Sequence, residues 1–470
     1  MFLNSLLNHS AFLYKIARKS SQPADQILSE YFRKKKNIGS KERKFISELI
    51  FSLLRNELIA KHLLNIAPKD SLFNDINNII YNDVNITYET ELFLIYLLLN
   101  LTNSNFQYID ILQLLSKVSS IYNSKDSILK DLIANYKLNE DFITENNYIS
   151  EFSFNQNNDE IDLSVIETTF SLPSFILEKL AISLDCNLLV SLANSLNFSA
   201  LPCIRINNLA FKNSILEELS INSIPYELSA LTPEGIILKK RINLNEFNFF
   251  KKGLAEVQDI GSQLIPYSLN PENNSRILDA CAGAGGKSLQ LAAMTEDTSE
   301  IIANDSDFSR MKELYSRANR AGFNSIKIKN LTKVTNFSDY YEYFDYILID
   351  APCSGLGTAR RSPLLKYKLT QKSLDKLNNS QLEIINYYSK ALKPGGVLVY
   401  ATCSFLPDEN RMIVDKFLSQ NSDFEAEPLK PIFESNGIFI KELNDSDFDL
   451  TLYPHLHKSD GFYMARLKKL

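Results

Sequence analysis

Histidine and cysteine are scarce in this chain, with four and five residues among 470. So few histidines, and no paired CxxC spacing, argue against a structural zinc site, and no metal is expected. Five cysteines, an odd number scattered between Cys186 and Cys403, do not form a disulfide framework. A cysteine with a special role should therefore be a free, reactive thiol. Long apolar runs are also missing. The longest, Leu92 to Leu99, is far too short to cross a bilayer and reads as a buried helix. The opening MFLNSLLNHSAFLYKIARKS lacks the basic start, unbroken apolar stretch and small-residue cleavage site of a secretory signal, so a cytoplasmic location is expected. Neither sign of charge dominates. With 50 Lys and Arg against 56 Asp and Glu, the net charge of −6 argues against indiscriminate nucleic-acid binding, although a local basic groove is compatible with it.

The composition present, 45% hydrophobic and 23% charged, is that of a soluble globular protein, and 470 residues are too many for one ordinary core. From Leu3 to about Lys137 the pattern is helical. In KERKFISELIFSLLRNELIAKHLL, Ile46, Leu49, Ile50, Leu53, Leu54 and Leu58 keep to one stripe, with Ser40 placed to cap. Residues 1–138 are therefore read as an all-α domain. The Asn-rich stretch 139–162 has no sustained period and reads as a linker. Within 163–255, β-like runs such as PCIRIN and GIILKK alternate with helical ones, which indicates a small α+β module.

Residues 256–470 form the third expected domain. RILDAC, EIIAND, SIKIKN, DYILID and GVLVYATC alternate with helical segments starting at Lys287 and spanning Phe308–Ala321 and Ser373–Leu392. This is the signature of an α/β, Rossmann-like domain, a mostly parallel seven-stranded sheet covered on both faces. Ligands of such sheets bind at the carboxyl ends of the strands. There the turn DACAGAGGKS brings glycine backbone to a helix N-terminus, and Asp305 ends the next strand where a carboxylate can accept both hydroxyls of a ribose. Together they indicate an adenosine-containing cofactor. CAGAGGKS misses the P-loop pattern by one residue, Cys281, and YILID ending in Asp350 could serve as a Walker B strand, so an NTPase is a rival reading. GAGG does not give the GxGxxG spacing of a nicotinamide site.

Two further strand ends carry cysteines, Cys353 in DAPCSGLG and Cys403 in VYATCSF. A lone cysteine is usually a small buried hydrophobe, a reading kept for Cys186 and Cys203. Two beside an adenosine site are a chemical constellation. A helix expected near Pro407 would favour a thiolate at Cys403. Carbon 5 of cytosine is too weak a nucleophile to accept a methyl group until a thiolate adds to carbon 6, and Asp350 could hydrogen-bond the ring nitrogen where charge develops. Arg360, Arg361 and Lys366 open a basic run just after the Cys353 loop, where RNA phosphates would need neutralising.

LDACAGAGGKS, DAPCSGLGTARRSP, LKPGGVLVYATCSFLPDEN and DGFYMARLKK resemble the Sun-type RNA cytosine-C5 methyltransferases, on the branch that acts on small-subunit ribosomal RNA. Residues near 22 to 58 resemble that family's NusB-like helical domain, and LPSF, IRIN and VQDIGSQL its connecting module. The resemblance implies S-adenosylmethionine (SAM) as cofactor, an RNA substrate, Cys403 as nucleophile and Cys353 as the residue assisting product release. It also implies cofactor contacts from Cys281, Ala282, Gly283, Ala284, Gly285, Gly286 and Lys287, from Asp305 and Asp350, and from Arg310 and Asn330. The chain is expected to act as a monomer. Two departures stand out: Gly283 and Ala284 replace the family's usual Ala-Pro, and Asn330 stands where an Asp is common. A non-catalytic RNA-binding descendant of the enzyme is the second rival.

Overall fold

The computed structural model describes residues 3–20, 22–58, 60–61, 163–307, 309–331 and 337–470. The apolar run Leu92 to Leu99, the helical pattern up to Lys137 and the linker expected at 139–162 lie outside them. The described residues fall into two units: Met1–Phe198 with Ser362–Tyr367, and Ser199–Arg361 with Lys368–Leu470.

The first unit is helical. It contains α1 (Leu3–Lys19), α2 (Ala24–Lys34), α3 (Ser40–Arg55) and the helices Leu163–Phe170, Ser174–Leu180 and Cys186–Ser195. Helix α3 buries Phe45, Ile46, Leu49, Ile50, Leu53 and Leu54, the three- and four-residue spacing of one apolar face. The cap differs from the expectation. Gly39 holds the extended cap position and Ser40 is the first helical residue, with no side-chain cap bond. Residues 163–198, read from the sequence as part of the α+β module, group with this helical unit instead. Their buried residues, among them Ile166, Phe170, Ile176, Leu177, Leu180, Leu189 and Leu192, follow helical spacing and supply no strand.

The second unit holds two sheets. The smaller is antiparallel, in the order β2 (Tyr226–Leu228), β3 (Gly235–Leu238), β1 (Cys203–Ile206), β4 (Ala255–Val257). The larger runs β10 (Phe424–Ala426), β12 (Phe462–Lys469), β9 (Leu392–Thr402), β8 (Phe344–Asp350), β5 (Arg276–Asp279), β6 (Glu300–Ala303), β7 (Ile326–Ile328), with β11 (Asp449–Leu452) paired to β12. The five strands β9-β8-β5-β6-β7 are parallel, and β10, β11 and β12 pair antiparallel at the other end. The sheet thus has eight strands, one more than the sequence suggested. Apolar clusters cover both of its faces, which explains why β8 and β9 read as almost continuous apolar runs.

Two boundaries differ from expectation. The helix expected to reach Leu392 ends at Tyr388, and a single tight turn, Ser389–Ala391, leads into β9. Strand β9 starts before Pro394, because Phe344 already pairs with Leu392 and a bulge takes up Lys393 to Gly396 before Tyr346 meets Val397. The helix expected from Phe308 begins at Met311. Strands β5, β6, β8 and β9 finish at Asp279, Ala303, Asp350 and Thr402 along one edge of the sheet. That edge collects the residues picked out by the motifs. No helix among the described residues is long and apolar enough to cross a membrane.

Candidate active site

The loop after β5 turns on two glycines in left-handed backbone, Gly283 (φ 54°) and Gly285 (φ 81°). A Cβ on Gly285 would sit 2.1 Å from Leu314 Cδ1, so the turn also needs glycine for room. The helix Gly286–Met294 starts immediately, presenting its N-terminus at the sheet edge. Asp305, nearly buried, accepts the Gly283 N–H at 2.8 Å on one oxygen and the Asp307 N–H at 2.8 Å on the other. It therefore ties the glycine turn to the end of β6. Arg310 reaches over the same turn, its guanidinium carbon 3.7 Å from where a Gly283 Cβ would stand. Asn330 follows β7 on this edge, next to Leu331, whose N–H donates to the buried Asn304.

Beneath the loop, Asp279 is fully buried. It accepts Ser288 Oγ at 2.6 Å on one oxygen and has no partner on the other. Burial pushes its carboxyl up to about 7, Ser288 opposing the shift and Asp350 adding to it. Cys281 is likewise pushed well above the ordinary thiol range, first by burial and then by Asp279. Lys287 Nζ donates to Asp350 Oδ2 at 2.6 Å. Burial alone would lower the pKa of this ammonium, but Asp350, Asp279 and the nearby Cys403 outweigh it, and the net shift is upward. A charged lysine is thus fixed between the glycine loop, Asp350 and Cys403.

Cys353 and Cys403 come together with Sγ atoms 3.3 Å apart, both as free thiols. The hydrogen bond to Cys403, reinforced by burial, holds the Cys353 thiol well above its ordinary range, which keeps it protonated at neutral pH. The helix invoked to favour a Cys403 thiolate starts later than expected. Pro407–Glu409 is one tight turn, and the regular helix is Arg411–Gln420. The positive charge beside Cys403 is instead the Lys287 ammonium.

The cysteine loop is held by residues to which the sequence reading gave no role. Glu409, fully buried, accepts the Ser354 N–H at 2.7 Å, the Ser354 hydroxyl, and the Gln381 amide at 3.2 Å, while Gln381 also donates to Pro352 O. Gly357 donates to Cys403 O at 2.9 Å and accepts from Gly461 N at 2.8 Å. A Cβ on Gly357 would stand 2.0 Å from Gly461 O, so only glycine permits this approach. Both segments are plain in the sequence, PDEN after ATCSFL and DGF near the end, but their contacts span 28 to 104 residues and no local pattern reveals them.

The basic run after the loop turns inward at Arg361 and Lys366, contrary to the RNA-facing role expected of it. Arg361 is committed to two carboxylates, Asp259 at 2.8 Å and Asp460 at 2.5 Å. Burial raises Asp460 to about 7, with Asp259 adding to the shift and Arg361 opposing it. Arg360 donates to Ser199 O at 3.5 Å. Lys366, expected to face RNA, belongs to the helical unit and is 1% exposed. It donates to Arg55 O at 2.9 Å and Asn197 Oδ1 at 3.3 Å, and burial lowers its pKa to about 7. A side chain so enclosed cannot meet a phosphate. A charge run that reads as a solvated face here serves as an internal brace.

Residues 266–468 match the family described as 16S rRNA methyltransferase RsmB/F. Among curated relatives, the ribosomal RNA small subunit methyltransferase B of Shewanella oneidensis is 34% identical over 253 residues, covering 53% of this chain and 56% of that one. The chain thus matches little more than half the length of such RsmB relatives. Among solved structures, that of PH0851 matches 99% of this chain and 98% of its own at 21% identity with a TM-score of 0.69. NSun6 from Pyrococcus horikoshii, solved with SFG, matches 63% of this chain and 98% of its own at 21% identity with a TM-score of 0.55. These two structural likenesses show the fold alone, a Rossmann-like α/β domain. Every motif used above from Cys281 onward lies inside the RsmB/F match.

Proposed function

We propose that this chain is a SAM-dependent RNA methyltransferase that modifies carbon 5 of a cytosine in small-subunit ribosomal RNA through a covalent bond to Cys403. The single observation carrying this reading is the sulfur pair, Cys353 and Cys403 at 3.3 Å, beside a Lys287–Asp350 ion pair within the RsmB/F match. The loop suits SAM: a helix N-terminus and glycine backbone for its carboxylate end, and at Asp305 a carboxylate with lone pairs left to accept ribose hydroxyls. When bound, SAM supplies an electrophilic methyl group.

The chain's own residues do the rest. Cys403, with the Lys287 ammonium nearby, gives its thiol proton to water as its sulfur forms a bond to carbon 6 and pushes electron density onto carbon 5. Asp350, held by Lys287, bonds the pyrimidine ring edge where charge develops. Once carbon 5 carries the methyl group it gives its proton to water, the carbon 5–carbon 6 double bond re-forms, and the electron pair of the sulfur–carbon bond returns to Cys403. The Cys353 thiol, protonated and in contact, donates a hydrogen bond to the departing sulfur. The NTPase reading is disfavoured because the lysine that should meet phosphates is paired to Asp350.

RNA phosphates need basic residues elsewhere than Arg361 and Lys366. Residues 1–61 hold twelve Lys and Arg against five Asp and Glu, while the remainder holds 38 against 51. Arg33, Lys34, Lys35, Lys36, Lys41 and Lys44 are all exposed around the α2–α3 turn, which supports RNA contact by the helical unit. Bisulfite sequencing of 16S rRNA incubated with the protein and SAM tests the reading. A protected cytosine is expected, and no methyl transfer to any RNA cytosine would favour the non-catalytic rival.

A further inference from the structure

The glycine loop has little stiffness of its own. Residues Gly283, Gly285 and Gly286 are glycine, and Ala284 stands where a proline would have restricted the backbone. Yet its carbonyls are gripped from outside. Arg317 Nη1 donates to Ala284 O at 2.8 Å, and Arg205 Nη1 donates to Gly286 O at 3.1 Å. Both arginines are held in turn by residues of the small sheet and its flank. Arg317 Nε donates to Glu256 on β4 at 2.9 Å, and Glu256 is 1% exposed and also takes Arg320. Arg205, on β1 and 1% exposed, donates to Gln258 Oε1 at 2.7 Å and Asn207 Oδ1 at 2.6 Å. Gln258 continues to Gln290 Oε1 at 2.9 Å, on the helix that follows the loop. Burying a guanidinium is costly, and burial lowers even the Arg205 pKa to about 10, with Glu256 opposing that shift. A fold retains such groups where their hydrogen bonds fix a backbone that would otherwise vary.

Resting on the reading of this loop as the SAM site, we propose that the small four-stranded module is the scaffold of the cofactor loop, with Arg205 and Arg317 as positioning residues. A peptide unit is planar, so fixing the Ala284 and Gly286 carbonyls fixes the orientation of the amides that follow them. The arginines grip the loop through its backbone oxygens, and SAM affinity depends on them through loop order.

The test uses Arg317→Lys, which keeps a positive charge for Glu256 but not the fork that also reaches Ala284 O. SAM and S-adenosylhomocysteine affinities are measured by calorimetry, and amide exchange of residues 282–287 is measured in the protein without cofactor. Expected are affinities weaker by about tenfold and faster exchange confined to the loop, with RNA affinity unchanged. Because Arg205 is so deeply buried, Arg205→Lys is a second variant, expected to act in the same direction. Unchanged loop exchange overturns the proposal, as does acceleration spread over the whole second unit with RNA binding lost, which is general destabilisation. If the parent protein binds no SAM at all, the functional reading fails, while loop exchange still reports on the clamp.

Discussion

Glu409 offers a sharp perturbation, because a fully buried carboxylate is asked to hold the loop carrying Cys353. It accepts from Ser354 N–H, Ser354 Oγ and the Gln381 amide. Glu409→Gln keeps the volume but removes the charge and leaves one carbonyl oxygen for three donors. Hydrogen bonds to charged groups are worth about 1.5–3 kcal/mol, and the Ser354 hydroxyl can turn to accept from the new amide, so a net loss of about 2 kcal/mol is expected. Urea unfolding measures it. The mechanistic consequence is larger than the stability cost, because the loop positions Cys353 while Cys403 directly follows β9. In single-turnover experiments with RNA and SAM, methyl transfer should slow about threefold or less, whereas loss of the covalent adduct should slow by tenfold or more. Equal slowing of both steps, or unfolding changed by less than about 0.5 kcal/mol, would refute the reasoning.

Three other outcomes follow from the same geometry. Asp305→Ala should weaken SAM binding by about 1–3 kcal/mol in calorimetry, from a lost charge-assisted hydrogen bond to ribose and a freed Gly283 amide. Replacing Lys34, Lys35 and Lys36 together with alanine should raise the RNA dissociation constant and flatten its dependence on salt, leaving SAM affinity unchanged; an identical salt slope would remove this turn from the RNA path. Lys366 titrates near 7 when folded and near 10.5 when unfolded, so between those values the unfolded chain holds the extra proton. Stability from this group should therefore rise as pH increases from about 7 to 10, and Lys366→Met should abolish that part of the rise in thermal unfolding.

Much of this was readable in the sequence because the governing interactions are local. The parallel strands bury both faces, so GVLVYAT and DYILID stand out, and the glycine turn, Asp305 and the two cysteines follow from the rule that strand ends line the ligand edge. The strand count and the start of β9 were not readable, since a bulge around Pro394 and Gly395 looks like a helix stop followed by a later strand. Arg361 and Lys366 misled for a related reason. Their partners, Asp259, Asp460 and Arg55, lie 99 to 311 residues away, and a run of charge carries no mark of which member turns inward. Glu409 was overlooked because an acidic residue after a strand end is ordinarily solvated, and only tertiary structure buries it under the Cys353 loop.

Which sulfur attacks carbon 6 decides the roles of the two cysteines. Cys403→Ala, Cys353→Ala and the parent protein would each be incubated with small-subunit ribosomal RNA and SAM, then run on a denaturing gel and probed for a slow, protease-sensitive RNA band. Cys403→Ala should give neither adduct nor 5-methylcytosine, because nothing activates carbon 5. Cys353→Ala should accumulate the adduct, since attack proceeds and the departing sulfur loses its hydrogen-bond donor. An adduct formed by Cys403→Ala but not by Cys353→Ala, or full methylation by both variants, would contradict the assignment of Cys403 as the nucleophile.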